Sequence, residues 1–118
     1  MAHFLHNEAS DSAFFQHRYG GIAPADLARQ VEQAMYHLGY RHLSGPLENA
    51  LYERGNRTLR ILLGAFHKYF KFRVLILPEG QDVSVRIVRE SSGMSGGLIG
   101  MNQVKNEFRL LSHNLMKI

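Results

Sequence analysis

Lys68-Tyr69-Phe70-Lys71-Phe72-Arg73-Val74-Leu75-Ile76-Leu77 decides the fold. Successive side chains of a strand point to opposite faces, so Phe70, Phe72, Val74 and Ile76 form one aromatic and aliphatic face. Tyr69, Lys71, Arg73, Leu75 and Leu77 take the other. Pro78-Glu79-Gly80-Gln81 turns the chain, and a further strand from Val83 to Arg89 places Val83, Val85 and Ile87 opposite Ser84, Arg86 and Val88. Working back, Gly64-Ala65 marks a turn and Arg57 to Leu63 reads as a strand. Gly55-Asn56 tolerates positive φ, and Leu47 to Arg54 is the hairpin partner, beginning after the Ser44-Gly45-Pro46 breaker. Four sequential strands joined by short turns predict an antiparallel meander.

Helical periodicity brackets this region. Pro24 suits a first helical turn, where its missing N–H has no intrahelical partner, and Asp26 meets the positive end of the helix dipole. Leu27, Val31, Met35 and Leu38 recur along one face, and Gly39 supplies a left-handed stop, so a helix is expected from about 24 to 38. Near the end of the sequence, Asn102 reads as an N-cap. Val104, Phe108, Leu111, Leu115 and Ile118 then make an apolar stripe, with Lys105, Asn106, Arg109, Ser112 and His113 opposite. Two one-sided helices and a sheet with one apolar face predict an α+β two-layer sandwich, a four-stranded antiparallel meander with both helices on one face in the order αββββα. Residues 1–21 show no clear period and read as a loosely ordered N-terminal arm. Its Phe4, Phe14, Phe15 and Tyr19 are too many for a solvated tail, and residues 22–118 form the single domain.

A chain of 118 residues fits one domain, and 45% hydrophobic with 20% charged residues is an ordinary globular balance. The absence of cysteine removes disulfides, thiolate metal sites and cysteine nucleophiles, and it suits a reducing compartment, so the expected location is cytoplasmic. The first residues lack a cationic n-region and an apolar h-region, and no run approaches the ~20 apolar residues of a membrane span, so neither export nor membrane insertion is expected.

The formal net charge of +4 is local. Before Arg54 there are three cations against six acids. From Arg54 to Pro78 there are six cations and no acid, and after it five cations against four acids. If the even side chains of 70–76 face the helices, Arg60, Tyr69, Lys71, Arg73 and Arg86 converge on the outer sheet face. Cations and an aromatic ring there are the ingredients of a nucleic-acid or anion-binding surface. Lys68 to Val74 nevertheless lacks the glycine of the RNA-recognition strand, and the meander order is wrong for that fold. A solvated face that keeps the sheet soluble has the same composition. Leu62, Leu75, Leu77 and Val88 share the face, and so many aliphatics fit a contact with another chain or with the arm, hence an expected homo-oligomer or protein partner.

Gly93, Gly96, Gly97 and Gly100 precede the last helix and allow an anion to approach its N-terminus. The segment is neither a P-loop nor a dinucleotide fingerprint, and a plain connection that lets the helix cross back over the sheet is the preferred reading. His3 and His6, or His37 and His42, have no metal-ligand spacing, and there is no Gly-x-Ser-x-Gly elbow. Glu48, Glu53, Glu79, Asp82, Glu90 and Glu107 are expected mainly at strand ends, turns or exposed helix positions. No catalytic residue, metal or cofactor is assigned. The expected function is a non-catalytic binding or assembly domain using the outer sheet face and the arm. Polyanion binding through the basic face is an alternative, and a small-ligand cavity between helices and sheet, with the glycines at its mouth, is a second.

Overall fold

A computed structural model of the chain describes residues 3–11, 13–54, 70–90 and 101–118, with the backbone alone described at 101–103. The architecture is α+β. The strands are β1 (Phe4–Ser10), β2 (Phe14–Gly20), β3 (Arg41–Ser44), β4 (Asn49–Arg54), β5 (Phe70–Glu79) and β6 (Asp82–Arg89). The helices are α1 (Pro24–His37) and α2 (Met101–Leu115). The strands form a six-stranded antiparallel sheet in the order β1-β2-β6-β5-β4-β3. None of the described helices is long and apolar enough to cross a membrane.

The alternation of residues 70–77 is realised in β5. Phe70, Phe72, Val74 and Ile76 are buried, and Lys71, Arg73, Leu75 and Leu77 are half-buried on the other face. Val83, Val85 and Ile87 of β6 continue the inner face, which shares one core with Leu27, Val31 and Met35 of α1 and Val104, Phe108, Leu111 and Leu115 of α2. Phe108 is the hub, with its ring 5.4 Å from that of Phe15 and 5.2 Å from that of Phe72.

Three details differ from the sequence expectation. First, the sheet has six described strands rather than four, because the stretch read as a loosely ordered arm supplies β1 and β2. Phe15, His17 and Tyr19 face the core while Gln16 and Arg18 face out. A histidine among the inward positions blurs the hydropathy alternation. The turn carries no glycine or proline signal: the Asp11 carboxylate accepts from the Ala13 and Phe14 amides at 2.6 and 3.1 Å. Second, β3, β4, β5 and β6 are sequential antiparallel neighbours, but β4 pairs directly with β5 and on its other side with β3, so its partners are not the one expected. The expected strand Arg57 to Leu63 lies outside the described residues. Ser44-Gly45-Pro46 breaks one strand to start the next, and Gly45 turns at φ +84°. Third, Asn102 lies inside α2, which begins at Met101.

Candidate ligand cleft

The hairpin of β1 and β2 stands beside α2, and the space between them is a cleft of about 680 Å³ lined by both. Small-molecule sites commonly fall in this size range. On α2 the lining residues Lys105, Arg109, Ser112 and His113 follow helical spacing, which stacks them along one face, and Met116 follows just past the helix end. Asn7, Ser10 and Asp11 rim the opposite wall, and Phe15 and Phe108 form the floor.

The charge of the cleft is asymmetric. Asp11 is committed to the hairpin turn through the two amide bonds. Lys105 and Arg109 are exposed and form no ion pair among the described residues. A column of cations thus faces an apolar floor. One anionic group and one hydrophobic body can be satisfied together there, and in a partly enclosed site the attraction is screened less than on open surface.

Under this cleft runs a chain of polar contacts. His17 is fully buried, with Phe4 edge-on at 4.9 Å and Phe15 at 5.1 Å. Its Nε2 is 3.0 Å from Oγ of Ser112, and its Nδ1 is 3.4 Å from the hydroxyl of Tyr19, which donates to the Leu115 carbonyl at 2.7 Å. Burial disfavours the imidazolium and lowers His17 to about 4, so the ring is neutral near pH 7.

The outer sheet face has a different character. Lys71, Arg73 and Arg86 lie on it, as the alternation requires, but two of the three are engaged. Arg73 donates to Asn49 Oδ1 at 2.9 Å and lies 3.5 Å from Glu90. Arg86 donates to Gln16 Oε1 at 2.8 Å and sits 4.7 Å over the Phe14 ring. Lys71 stands opposite Glu53 in the β4–β5 register. Beside them Arg18 is gripped by Glu8, Glu79 and Asp82. Leu75, Leu77 and Val88 are half-buried among these pairs. Arg60, Tyr69, Leu62 and the glycines Gly93, Gly96, Gly97 and Gly100 lie outside the described residues.

Sequence reasoning passed over the cleft. Lys105, Arg109 and His113 are visible at i, i+4 and i+8, yet that spacing equally describes a solvated helix side. The hairpin that turns this side into a wall is the feature the arm reading concealed. Glu107, expected in an exposed position, is buried at 7% exposure. Among the described residues no three His, Asp or Glu side chains converge to hold a metal ion. No protein-family model matches the chain, and no curated protein sequence matches it, so the functional reading rests on this geometry.

Proposed function

We propose that this protein is a binding module that takes a small amphipathic anion, an apolar body bearing a carboxylate, sulfonate or phosphate, in the cleft between the β1–β2 hairpin and α2. The observation that carries the reading is the column of Lys105 and Arg109, without ion-pair partners among the described residues, above a floor of Phe15 and Phe108. The apolar floor supplies affinity through area removed from water, and the cations orient the anionic end. A cysteine-free chain suits a reducing compartment, and we place the module in the cytoplasm.

The test is titration with 8-anilinonaphthalene-1-sulfonate, which has both chemical features, followed by fluorescence and by chemical shifts of the natively folded protein. Saturable binding that weakens about tenfold or more in the Lys105→Ala, Arg109→Ala double variant supports the site. Absent binding, or binding indifferent to that replacement, removes it.

Self-association through the outer face is a second reading, favoured by the half-buried Leu51, Leu75, Leu77 and Val88 on one surface. Light scattering reads it directly: a dimer mass that Leu75→Glu reduces to a monomer supports it, and a monomer at all concentrations sinks it. Polyanion binding on that face is less favoured, because Arg18, Arg73 and Arg86 would have to exchange partners they already hold.

A further inference from the structure

Ser112 is the one cleft-lining residue whose hydroxyl is bonded to the fully buried His17, and the direction of that bond follows from the groups behind it. The Tyr19 hydroxyl has a single proton and gives it to the Leu115 carbonyl. Its oxygen is left to accept from Nδ1 of His17. An imidazole protonated on Nδ1 carries its lone pair on Nε2, so Ser112 donates to His17 and presents its oxygen lone pairs toward the cleft. A hydroxyl beside an accepting imidazole that is itself oriented by a third group is the arrangement of an activated nucleophile.

We propose that Ser112 is an acyl acceptor for an ester held in the cleft, with His17 as its general base. Oγ attacks the ester carbonyl carbon while His17 Nε2 takes the hydroxyl proton. The bond to the leaving alkoxide breaks, and the imidazolium returns its proton to that alkoxide. Water then attacks the acyl-serine with the same base, releasing the acid and restoring the hydroxyl. Ester and water become acid and alcohol, with no redox step. Arg109, one turn before Ser112 on the cleft side of α2, places positive charge beside the oxygen that becomes negative.

The step rests on the reading of the cleft as a ligand site and adds to it, as substrates, esters with an apolar acyl group, whose released acid is an amphipathic carboxylate of the kind that reading places there. His17 is faced by Asn7 and Phe4 of β1, Phe15 and Tyr19 of its own strand, Val85 of β6 and Ser112 of α2. The cations Lys105 and Arg109 and the imidazole of His113 lie in the cleft beyond Ser112. A neutral tyrosine stabilises an imidazolium far less than a carboxylate does, and burial and the cleft cations oppose it further. The acyl-serine therefore forms slowly even from an activated ester and, being an unactivated alkyl ester, clears more slowly still, giving a burst of about one equivalent followed by weak turnover.

The experiment mixes the full chain with 4-nitrophenyl hexanoate, following nitrophenolate release and intact mass, with peptide mapping of the adduct. The expected result is a burst, a single hexanoyl adduct on Ser112, and loss of about a hundredfold in burst rate in Ser112→Ala with anilinonaphthalene sulfonate binding retained. A His17 variant tests folding as much as chemistry, so the second readout is the wild-type pH profile. The burst rate should hold down to about pH 5 and fall toward about pH 4, where His17 takes up a proton. A fall centred near the ordinary histidine value, an adduct on Lys105, or a burst unchanged in Ser112→Ala overturns the proposal. Sulfonate binding without a burst overturns the acyl acceptor and leaves the ligand site standing. A burst on Ser112 without sulfonate binding does the reverse.

Discussion

Arg54 Nη1 lies 2.8 Å from Oε2 of Glu107, joining the last residue of β4 to the middle of α2, and the buried Tyr40 hydroxyl donates to the same oxygen. Burial first, and then the hydrogen bond and charge of Glu107, push the Tyr40 phenol well above its usual range. Arg54 is 41% exposed and can recover solvent, whereas Tyr40 at 2% cannot. Glu107→Ala is therefore expected to lose about 1–3 kcal/mol, set mainly by the stranded tyrosine hydroxyl. Tyr40→Phe with Glu107→Leu should recover most of it, because both polar partners leave together. Urea midpoints of the two variants check this, and equal losses would show that the ion pair, not the phenol, sets the cost.

Stability should fall with acidification in two stages. His17 sits at about 4 in the fold against an ordinary 6.5, so between those values the unfolded chain binds a proton that the native chain refuses. Its contribution is complete above about pH 6.5 and is lost as pH drops toward about 4. Glu8 follows. Burial works against its charge, but hydrogen bonds from Ser84, Gln16 and Arg18, and the charge of Arg18, outweigh that and hold it at about 2. The folded carboxyl thus lies below its unfolded 4.5, and that stabilisation is present above about pH 4.5 and lost as pH falls toward about 2. Chemical denaturation from about pH 7 to 3 should show both stages, with Glu8→Gln flattening only the lower. A flat profile from about pH 7 to 5 would contradict the buried, neutral histidine.

The legible part of the fold is the part where hydropathy alone does the sorting. Phe70, Phe72, Val74 and Ile76 alternate with polar and aliphatic neighbours, and Leu27, Val31 and Met35 repeat at helical spacing, so β5 and α1 were readable in place. The β1–β2 hairpin was not, because polar groups made buried by partners far along the chain carry it. His17 is bonded to Ser112, and Gln16 and Arg18 to Glu8 and beyond. Such positions look solvated in a linear reading. The cleft inherits that opacity: its helix wall is plain in the sequence, while its opposite wall depends on Asp11 closing a turn with its side chain.

Gly45 and Gly80 separate two costs that a glycine replacement combines. Both have positive φ, +84° and +64°. A Cβ at Gly45 would stand 2.3 Å from the Asn49 carbonyl oxygen, a backbone atom that cannot step aside without breaking the β3–β4 turn, whereas one at Gly80 meets nothing within 4 Å. Gly80→Ala should lose only the left-handed penalty of about 1–2 kcal/mol. Gly45→Ala should lose more than that, with displacement of β3 visible in amide shifts of Arg41 to Ser44. Equal losses at the two sites would mean that the β3–β4 turn relaxes freely.

Phe108 is asked to serve both the core and the cleft, and size-graded replacement tells the two roles apart. Its ring packs on Phe15 and Phe72 while lining the cleft floor. Phe108→Ala should lose about 3–5 kcal/mol, since the ring is 8% exposed and its neighbours are held by the sheet. That loss alone could abolish binding by unfolding the chain. Phe108→Leu keeps an apolar group of nearly the same bulk and should lose less than about 1.5 kcal/mol, while removing the flat surface against which an aromatic ligand stacks. A folded Phe108→Leu variant with anilinonaphthalene sulfonate affinity reduced several-fold places the ring in the site. Undiminished affinity would put the bound probe elsewhere, away from the floor that Phe15 and Phe108 share.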